Sequence, residues 1–359
     1  MRIMQTTTSV SENHPSVSYD NNASNQHLVE SLRILSKPYR ATPWLFNAHT
    51  QLIFYSLRKY GFQRRNESAS LYDHHEQLTM RDGGLTALYW SGYDLPETTP
   101  TIVLIHTISG SPDSMAELVR DLGRKTGWRI VLCLRRGHGQ LPLLTPRFNM
   151  VGCTEDFREQ LTHIRQRFPD SALYAVGTSA GSGLLVRYLG EEGADAPFRA
   201  AFAYCPGYDT GTCFDKVHPR YSRIMAKKMV RQFISPNEGV LSSLQTANSL
   251  PTATDLGDLY QKLYELAGYD DYPSYDQNTN PMNVFEDIQI PLMVLNAEDD
   301  PICHIGNLEP WRDRMKTMDN VILVTTRKGS HCAHYEGWSA RSWSARLMAD
   351  YFKSVQNTD

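Results

Sequence analysis

Residues 172–186, ALYAVGTSAGSGLLV, decide the fold of this 359-residue chain. A short apolar stretch runs directly into Gly177-Thr178-Ser179-Ala180-Gly181, and the residues that follow predict a helix. A serine on so tight a turn between a strand and a helix is held in a strained backbone conformation, so its neighbours must be Gly or small. The Ser179 hydroxyl should then project above a sheet, where the Ala180 N–H at the helix start can face a developing oxyanion.

The same alternation of strand and helix recurs along the chain. TIVLIH, residues 101–106, reads as a buried strand, and Ser111 follows as a helix N-cap with Pro112 at the first helical position. Further strands are predicted at RIVLCL (129–134), AAFAYC (200–205), PLMVLN (291–296) and VILVTT (321–326). Continuous apolar strands separated by amphipathic helices are typical of a parallel sheet covered on both faces. The sequence therefore predicts an α/β fold with a mostly parallel, doubly wound sheet.

Three segments depart from this alternation. Residues 1–36 are rich in Ser, Thr and Asn, and so polar a segment is predicted to be disordered. Residues 71–90 alternate around Asp82-Gly83-Gly84, which predicts a hairpin. Residues 207–288 hold no convincing buried strand but two amphipathic helices, the second of which is predicted to end at Gly268. This pattern predicts a helical cap inserted into the core. The core itself is predicted at 37–206 and 289–359.

A serine becomes a nucleophile only when a base takes its proton, so the turn at Ser179 requires a His and an acid at later strand ends. The strand at 291–296 is followed by Asp300, and the strand at 321–326 is followed by His331. Because the carboxyl ends of parallel strands share one edge of a sheet, these side chains can converge. We assign Ser179 as nucleophile, His331 as general base and then acid, and Asp300 as the group that fixes the imidazole tautomer.

Each partner of the serine has competitors in the sequence. Asp299 and Glu298 are alternatives to Asp300, while His304 and His334 are alternatives to His331. A zinc site built from Cys303, His304, His331, Cys332 and His334 is a further alternative, but these residues lack the usual C-x-x-C spacing, so we predict no metal and no cofactor. The second oxyanion donor is predicted to be the Ile108 N–H, in the loop after the strand at 101–106.

Composition excludes several classes of protein. With 36 Lys+Arg against 39 Asp+Glu the net charge is −3, which gives no electrostatic footprint for nucleic acid. The longest apolar run, at 200–205, is far below the roughly 18 residues that a membrane-spanning helix needs. Without a signal-peptide pattern we expect a cytoplasmic protein, and the six unclustered Cys fit reduced thiols.

From about Pro43 onward the chain resembles the α/β-hydrolase superfamily, in the branch that contains the α/β-hydrolase-domain-containing proteins one to three, the plant embryogenesis-associated proteins and related bacterial esterases. The matching motifs are Phe46-Asn47-Ala48-His49-Thr50-Gln51, Arg136-Gly137-His138-Gly139, Thr154-Glu155-Asp156, the turn at Ser179, residues 296–301 and residues 329–337. The resemblance implies an α/β-hydrolase fold with a helical cap and a serine hydrolase of lipid carboxylic esters such as monoacylglycerols and phospholipids. It also implies that the second of the paired aspartates, Asp300, is the catalytic acid.

The chain departs from the family pattern at three positions around the expected site. Thr107 stands where the family often has Gly after the oxyanion-loop His, Ser182 where a second Gly follows the turn, and Ser330 where Gly precedes the catalytic His. We therefore keep two alternatives to ester hydrolysis, an acyltransferase that uses the same three residues and a non-catalytic binding module. The basic helix from Arg220 to Arg231 could also rest on an anionic membrane with Met225, Met229, Val230 and Phe233 toward the lipid. The oligomeric state does not follow from the sequence.

Overall fold

The computed structural model of the protein describes residues 13–64 and 70–358, except for the side chains of residues 60 and 62–64. Among the described residues nine strands form one sheet in the order β1-β9-β8-β7-β6-β4-β5-β3-β2. The strands are β1 (Ser16–Tyr19), β2 (His74–Thr79), β3 (Leu85–Ser91), β4 (Thr101–Ile105), β5 (Arg129–Leu134), β6 (Leu173–Thr178), β7 (Phe198–Tyr204), β8 (Leu292–Ala297) and β9 (Val321–Thr326). A separate two-stranded sheet pairs β10 (Tyr335–Glu336) with β11 (Arg341–Ser342).

The six strands from β4 to β9 pair in parallel, which confirms the predicted α/β class. The hairpin of β2 and β3 turns at Asp82-Gly83-Gly84, as predicted, and adds two antiparallel strands at one edge. Because these six strands run parallel, their carboxyl ends lie at the same edge of the sheet, and the loops that follow them open on one side of it.

Helices cover both faces of the sheet. They are α1 (Ala23–Ser31), α2 (Ala48–Arg64), α3 (Pro112–Thr126), α4 (Glu155–Arg167), α5 (Ala180–Glu192), α6 (Thr210–Cys213), α7 (Pro219–Met229), α8 (Glu238–Leu241), α9 (Leu256–Lys262), α10 (Tyr272–Thr279), α11 (Arg312–Met315) and α12 (Trp343–Gln356). Alternate residues of β4 enter different cores, since Val103 packs with α4 and α5 while Leu104 packs with α3 and α12. Burial on both sides explains why the strands are apolar throughout.

The predicted disorder of residues 1–36 is wrong from residue 16 onward, and its first twelve residues lie outside the described chain. β1 pairs antiparallel with β9, and α1 is capped by the Asn22 side chain, which accepts from the Asn25 N–H. The Asn25 amide in turn donates to the Asp319 carbonyl. Order here comes from backbone pairing and a few side-chain caps, which a composition argument does not register.

Residues 205–291, all of them described, hold helices and helical turns and no strand. This region contains the predicted cap at 207–288. It packs an apolar cluster against the core, in which Met229 and Phe233 are buried. The alternative in which these side chains face lipid is therefore wrong, because the helix turns them toward the protein. The second predicted helix ends at Lys262 rather than at Gly268, and Gly268 closes the following turn with φ at 89°.

Candidate active site

Ser179 occupies the sharp turn between β6 and α5. Its φ of 53° and ψ of −119° lie in a region that residues other than Gly rarely adopt. The flanking glycines allow this turn, because a Cβ on Gly177 would lie 2.5 Å from the Gly181 carbonyl oxygen and a Cβ on Gly181 would lie 2.5 Å from the Ile105 carbonyl oxygen. The turn is further held by the Ser179 N–H, which donates to the Tyr204 carbonyl at 2.8 Å.

The structure brings Ser179, His331 and Asp300 into one hydrogen-bonded chain. His331 Nε2 lies 2.8 Å from Ser179 Oγ, and His331 Nδ1 lies 2.8 Å from Asp300 Oδ2. The other oxygen of Asp300 accepts from the Ile302 and Cys303 N–H groups at 2.7 and 2.9 Å. The carboxylate is thus fixed by the backbone of its own loop while it orients the imidazole. Three side chains from the ends of β6, β8 and β9 meet as the shared strand edge requires.

Two opposing effects set the protonation of His331. Burial lowers its pKa, because the charged imidazolium is poorly solvated, whereas the adjacent Asp300 carboxylate raises it. Cys332 and Cys303 add to the effect of Asp300, and together these groups outweigh burial, so the pKa of His331 lies well above its ordinary value of 6.5. The neutral imidazole is the form that takes a proton from a neighbouring hydroxyl, so His331 acts as a base above this raised pKa.

The competing residues lie elsewhere. Asp299 accepts from the Ser330 N–H at 2.8 Å, and Glu298 is exposed. His334 is buried between two hydroxyls, with Nδ1 3.0 Å from Tyr204 Oη and Nε2 2.9 Å from Thr326 Oγ1. His304 is exposed and accepts from the Gly306 N–H. In the described structure none of these four side chains is hydrogen-bonded to Ser179 or His331.

The two predicted oxyanion donors border the serine. Ala180 is the first residue of α5, so its N–H has no acceptor within the helix. Ile108 and Ala180 line the same cavity as Ser179, and the Ile108 carbonyl lies 3.0 Å from His138 Nε2, an interaction that fixes the peptide orientation of this loop.

A buried arginine that the sequence analysis did not single out holds the oxyanion loop. The Arg135 side chain donates to the Thr107 carbonyl at 2.7 Å and to the Met150 carbonyl at 2.7 Å, while the Arg135 N–H donates to His106 Nε2 at 3.2 Å. A charged residue directly after an apolar strand is the signal that could have identified it, but charge alone does not distinguish a buried side chain that binds backbone carbonyls from a surface residue.

The three departures from the family pattern have specific contacts. Thr107 offers its carbonyl to Arg135. The Ser182 hydroxyl donates to the Ser179 carbonyl and so braces the turn. Ser330 adopts a φ of 50°, where Gly is favoured, and its hydroxyl donates to the Ala48 carbonyl at 2.8 Å. None of the three side chains interrupts the chain of Ser179, His331 and Asp300.

Above Ser179 lies an apolar cavity between the core and the cap. Its walls are predominantly aliphatic and aromatic, as expected for a site that takes an apolar group. The lining residues are Ile108, Val151, Ser179, Ala180, Gly183, Gly207, Tyr208, Thr210, Cys213, Phe214, Val217, Met225, Leu256, Ile302 and Cys303. Gly183 and Tyr208 also line a second apolar pocket beneath, which reaches Met282 and Phe285.

The five residues considered for zinc do not assemble as one set. In the described structure His331 lies near Cys205 and Cys332 on one side and near Asp300 and Cys303 on the other, each group within 4.8 Å. Both groups use the imidazole that already bridges Ser179 and Asp300, and neither includes His304 or His334. The six cysteines are free thiols.

A strained serine at a strand-to-helix turn, joined to a histidine and a buried carboxylate from two later strand ends, is the arrangement of a serine hydrolase of the α/β type. The chain belongs to the alpha/beta hydrolase fold family, whose model matches residues 100–337.

Curated relatives extend this similarity over nearly the whole chain. The embryogenesis-associated protein EMB8 of Picea glauca is 28% identical over 356 residues, an alignment that covers 93% of this chain and 76% of the relative. The monoacylglycerol lipase ABHD2 of Homo sapiens is 26% identical over 381 residues, which covers 95% of this chain and 85% of the relative. Among solved structures, esterase LipW from Mycobacterium marinum covers 87% of this chain and 91% of its own, with a TM-score of 0.51 at 16% identity. That likeness shows the fold.

Proposed function

We propose that the protein hydrolyses carboxylic esters of lipids or other apolar acyl groups through an acyl-serine intermediate. The single observation that carries this proposal is the chain of 2.8 Å contacts from Ser179 through His331 to Asp300 at the base of an apolar cavity. The name of the relative ABHD2 supports a monoacylglycerol as one substrate of this class.

The proposed reaction proceeds in two halves. His331 Nε2 takes the Ser179 proton as Oγ attacks the ester carbonyl, and Asp300 stabilises the imidazolium through Nδ1. The Ala180 and Ile108 N–H groups stabilise the oxyanion, each contributing about 2.7 to 4 kcal/mol by analogy with other oxyanion donors. His331 then returns the proton to the leaving alcohol. In the second half water replaces the alcohol, His331 takes a water proton, and collapse of the second intermediate releases the acid and the free serine.

The cavity supports an apolar acyl group as the recognised part of the substrate. Ile108 lines the cavity from the core, and Val217 and Leu256 line it from the cap. An acyl chain bound there would therefore be removed from water. Burying one methylene stabilises a bound chain by about 0.8 kcal/mol. Gly183 also lines the cavity, so a side chain at that position would occupy part of its volume.

Replacement of the nucleophile tests this proposal. Ser179→Ala should abolish hydrolysis of short p-nitrophenyl esters and labelling by a fluorophosphonate probe, with an unchanged melting temperature. Ser242→Ala is the control, because Ser242 is exposed and its hydroxyl donates to the Gly239 carbonyl, so this variant should keep both hydrolysis and labelling. Turnover retained by Ser179→Ala would contradict the nucleophile assignment.

The same assays separate the two alternatives. A wild-type protein that folds but neither labels nor turns over any ester of a graded chain-length panel would be a binding module. A protein that forms more ester than free acid when an alcohol is added would be an acyltransferase, since the alcohol then replaces water in the second half of the reaction.

A further inference from the structure

Large apolar side chains are exposed on one side of the molecule. Phe46, Ile53 and Leu57 are 66, 56 and 61% exposed, and Trp338 is 77% exposed. Contiguous apolar exposure of this kind marks interaction sites, whereas single exposed residues need no explanation. We call the set Trp44, Phe46, Ile53, Leu57, Ile224 and Trp338 the entrance face.

Helix spacing and two hydrogen bonds connect the members of this face. Ile53 and Leu57 follow His49 at intervals of four along α2, so the three share one side of that helix. His49 Nδ1 lies 2.7 Å from Tyr221 Oη on α7, and Ile224 follows Tyr221 by three residues. At the other end, the Trp44 indole N–H donates to the Trp338 carbonyl at 2.9 Å.

The entrance face surrounds the approach to the candidate active site. The Ala48 carbonyl at the start of α2 accepts from the hydroxyl of Ser330, the residue before His331. The His218 N–H before α7 donates to the carbonyl of Pro301, the residue after Asp300. Lys228 on α7 donates from Nζ to Ser109 Oγ at 3.1 Å, one residue beyond Ile108. The helices that carry the exposed side chains are thus anchored to the loops after β4, β8 and β9, three of the four loops that form the site.

The α7 side of this face is basic. Residues 218–234 contain five basic residues and no Asp or Glu, although the whole chain has a net charge of −3, whereas on α2 Arg58 is paired with Glu117 at 2.6 Å. Arg220, Arg223, Lys227 and Arg231 are exposed. Two copies of a basic face repel each other, whereas an anionic surface attracts it.

We propose that the entrance face docks on an anionic lipid bilayer, with Phe46, Ile53 and Leu57 entering the acyl region and the basic residues of α7 lying over the headgroups. This proposal rests on the proposed function for its purpose, because a docked site could receive an ester directly from the bilayer. An apolar helix face with basic residues beside it has the composition that binds membrane interfaces. The surface that would face lipid is the exposed side of α2 and α7. On α7 this side is opposite to the apolar side that the sequence analysis considered for lipid contact, which is buried.

Binding to vesicles of the full chain carrying Ser179→Ala tests docking without turnover. The chain should co-sediment with vesicles of phosphatidylcholine and phosphatidylserine more than with phosphatidylcholine alone, and the difference should shrink between about 0.05 M and about 0.5 M salt, since salt screens the headgroup charge. Tryptophan emission should shift to shorter wavelength on binding, and Trp338→Phe should reduce that shift.

Two sets of substitutions locate the contact. Ile53→Ser/Leu57→Ser should lower the partition coefficient at least about tenfold on both vesicle types, because acyl contact does not depend on charge. Arg223→Gln/Lys227→Gln should lower it mainly on phosphatidylserine vesicles. Leu95→Ser is the matched control, since Leu95 is an exposed leucine that precedes β4, at the opposite end of the sheet from the site. With Ser179 intact, Ile53→Ser/Leu57→Ser should keep its turnover of a short soluble ester and lose turnover of a vesicle-borne monoacylglycerol.

Several results would overturn the proposal. One is wild-type sedimentation no greater than that of Ile53→Ser/Leu57→Ser on either vesicle type. Another is a dimer in solution that this double variant dissociates, which would make the face a contact between two copies of the chain. The esterase proposal fails separately: vesicle binding by Ser179→Ala together with an inactive, unlabelled wild type would leave docking in place and remove ester hydrolysis.

Discussion

Asp300 binds His331 through one carboxylate oxygen and the backbone of its own loop through the other. The His331 contact measures 2.8 Å, and the second oxygen receives two N–H donors. The imidazole orientation is therefore coupled to the loop that follows β8, so the acid cannot rotate away from His331 without losing three hydrogen bonds.

The pH dependence of ester hydrolysis should reflect this contact. The reactive form of His331 is the neutral imidazole. Burial lowers the His331 pKa, but Asp300, Cys332 and Cys303 together raise it well above 6.5. Lowering the pH through that raised pKa protonates the base, so kcat/KM should fall on the acid side with a midpoint above pH 6.5. A profile measured on a soluble ester, with melting temperature followed over the same range, checks this. A midpoint below pH 6.5 would contradict the assignment of His331.

Asp300→Asn should reduce kcat by about four orders of magnitude, because an amide favours the wrong imidazole tautomer. Loss of the negative charge should also move the acid midpoint of the remaining activity to lower pH. Asp299→Asn is the matched control, since the Asp299 carboxylate accepts from the Ser330 N–H and not from His331. Equal losses in the two variants would mean that the acid had been assigned to the wrong aspartate.

Gly181→Ala should destabilise the protein by about 2 kcal/mol or more, as overpacking against rigid atoms does. Its new Cβ would lie 2.5 Å from the Ile105 carbonyl oxygen and 2.6 Å from that of His106, and neither backbone atom can move freely. Gly183→Ala on the same helix meets nothing nearer than Pro281 Cγ at 3.9 Å, so it should keep or slightly raise stability. Chemical denaturation of both variants measures the difference, and a stable Gly181→Ala protein would argue against this tight turn.

Arg136→Met should lower the free energy of unfolding by about 3 kcal/mol, because it leaves a buried carboxylate without its partner. The Arg136 guanidinium joins the hairpin to α4, with contacts of 2.7 Å to Asp82 and 2.6 Å to Asp156. Arg312→Met, which breaks an exposed pair with Glu309, should change stability by less than about 1 kcal/mol. Similar urea midpoints for the two variants would show that the Arg136 network contributes little.

Leu256→Ala should move the preference of the enzyme toward longer acyl chains. Leu256 is buried, and it reaches the cavity above Ser179 from the start of α9. Removing its side chain should enlarge the acyl site at a stability cost of about 2 to 5 kcal/mol. The ratio of kcat/KM between long and short p-nitrophenyl esters measures the change, and an unaltered ratio in a folded variant would place the acyl chain elsewhere.

The six parallel strands could be predicted from the sequence, because each of them is apolar on both sides and ends at a recognisable turn. The topology of a parallel sheet then placed Asp300 and His331 on the same edge as Ser179. The sequence could not choose between Asp299 and Asp300 by pattern, because the choice depends on which carboxylate faces inward. Only the coordinates show Asp300 buried against His331 and Asp299 turned to Ser330.

The features that the sequence did not predict have a common cause. Each depends on contacts between residues that lie far apart in the sequence. β1 is ordered by backbone pairing with a strand about 300 residues away, and polar composition does not record such pairing. The apolar positions of α7 were recognised as one face, but periodicity does not indicate whether that face meets protein or lipid. Arg135 is a similar case, because the sequence does not show whether an arginine is buried among backbone carbonyls or exposed to solvent.

The short strand β1 also protects the protein from association with other copies of the same chain. Without it, the outermost strand would be β9, whose residues VILVTT would present unpaired backbone groups to any neighbouring chain. Such an edge is a template for aggregation. β1 replaces that apolar edge with the four residues SVSY, short and partly polar, so the N-terminal segment serves as a guard against intermolecular strand addition.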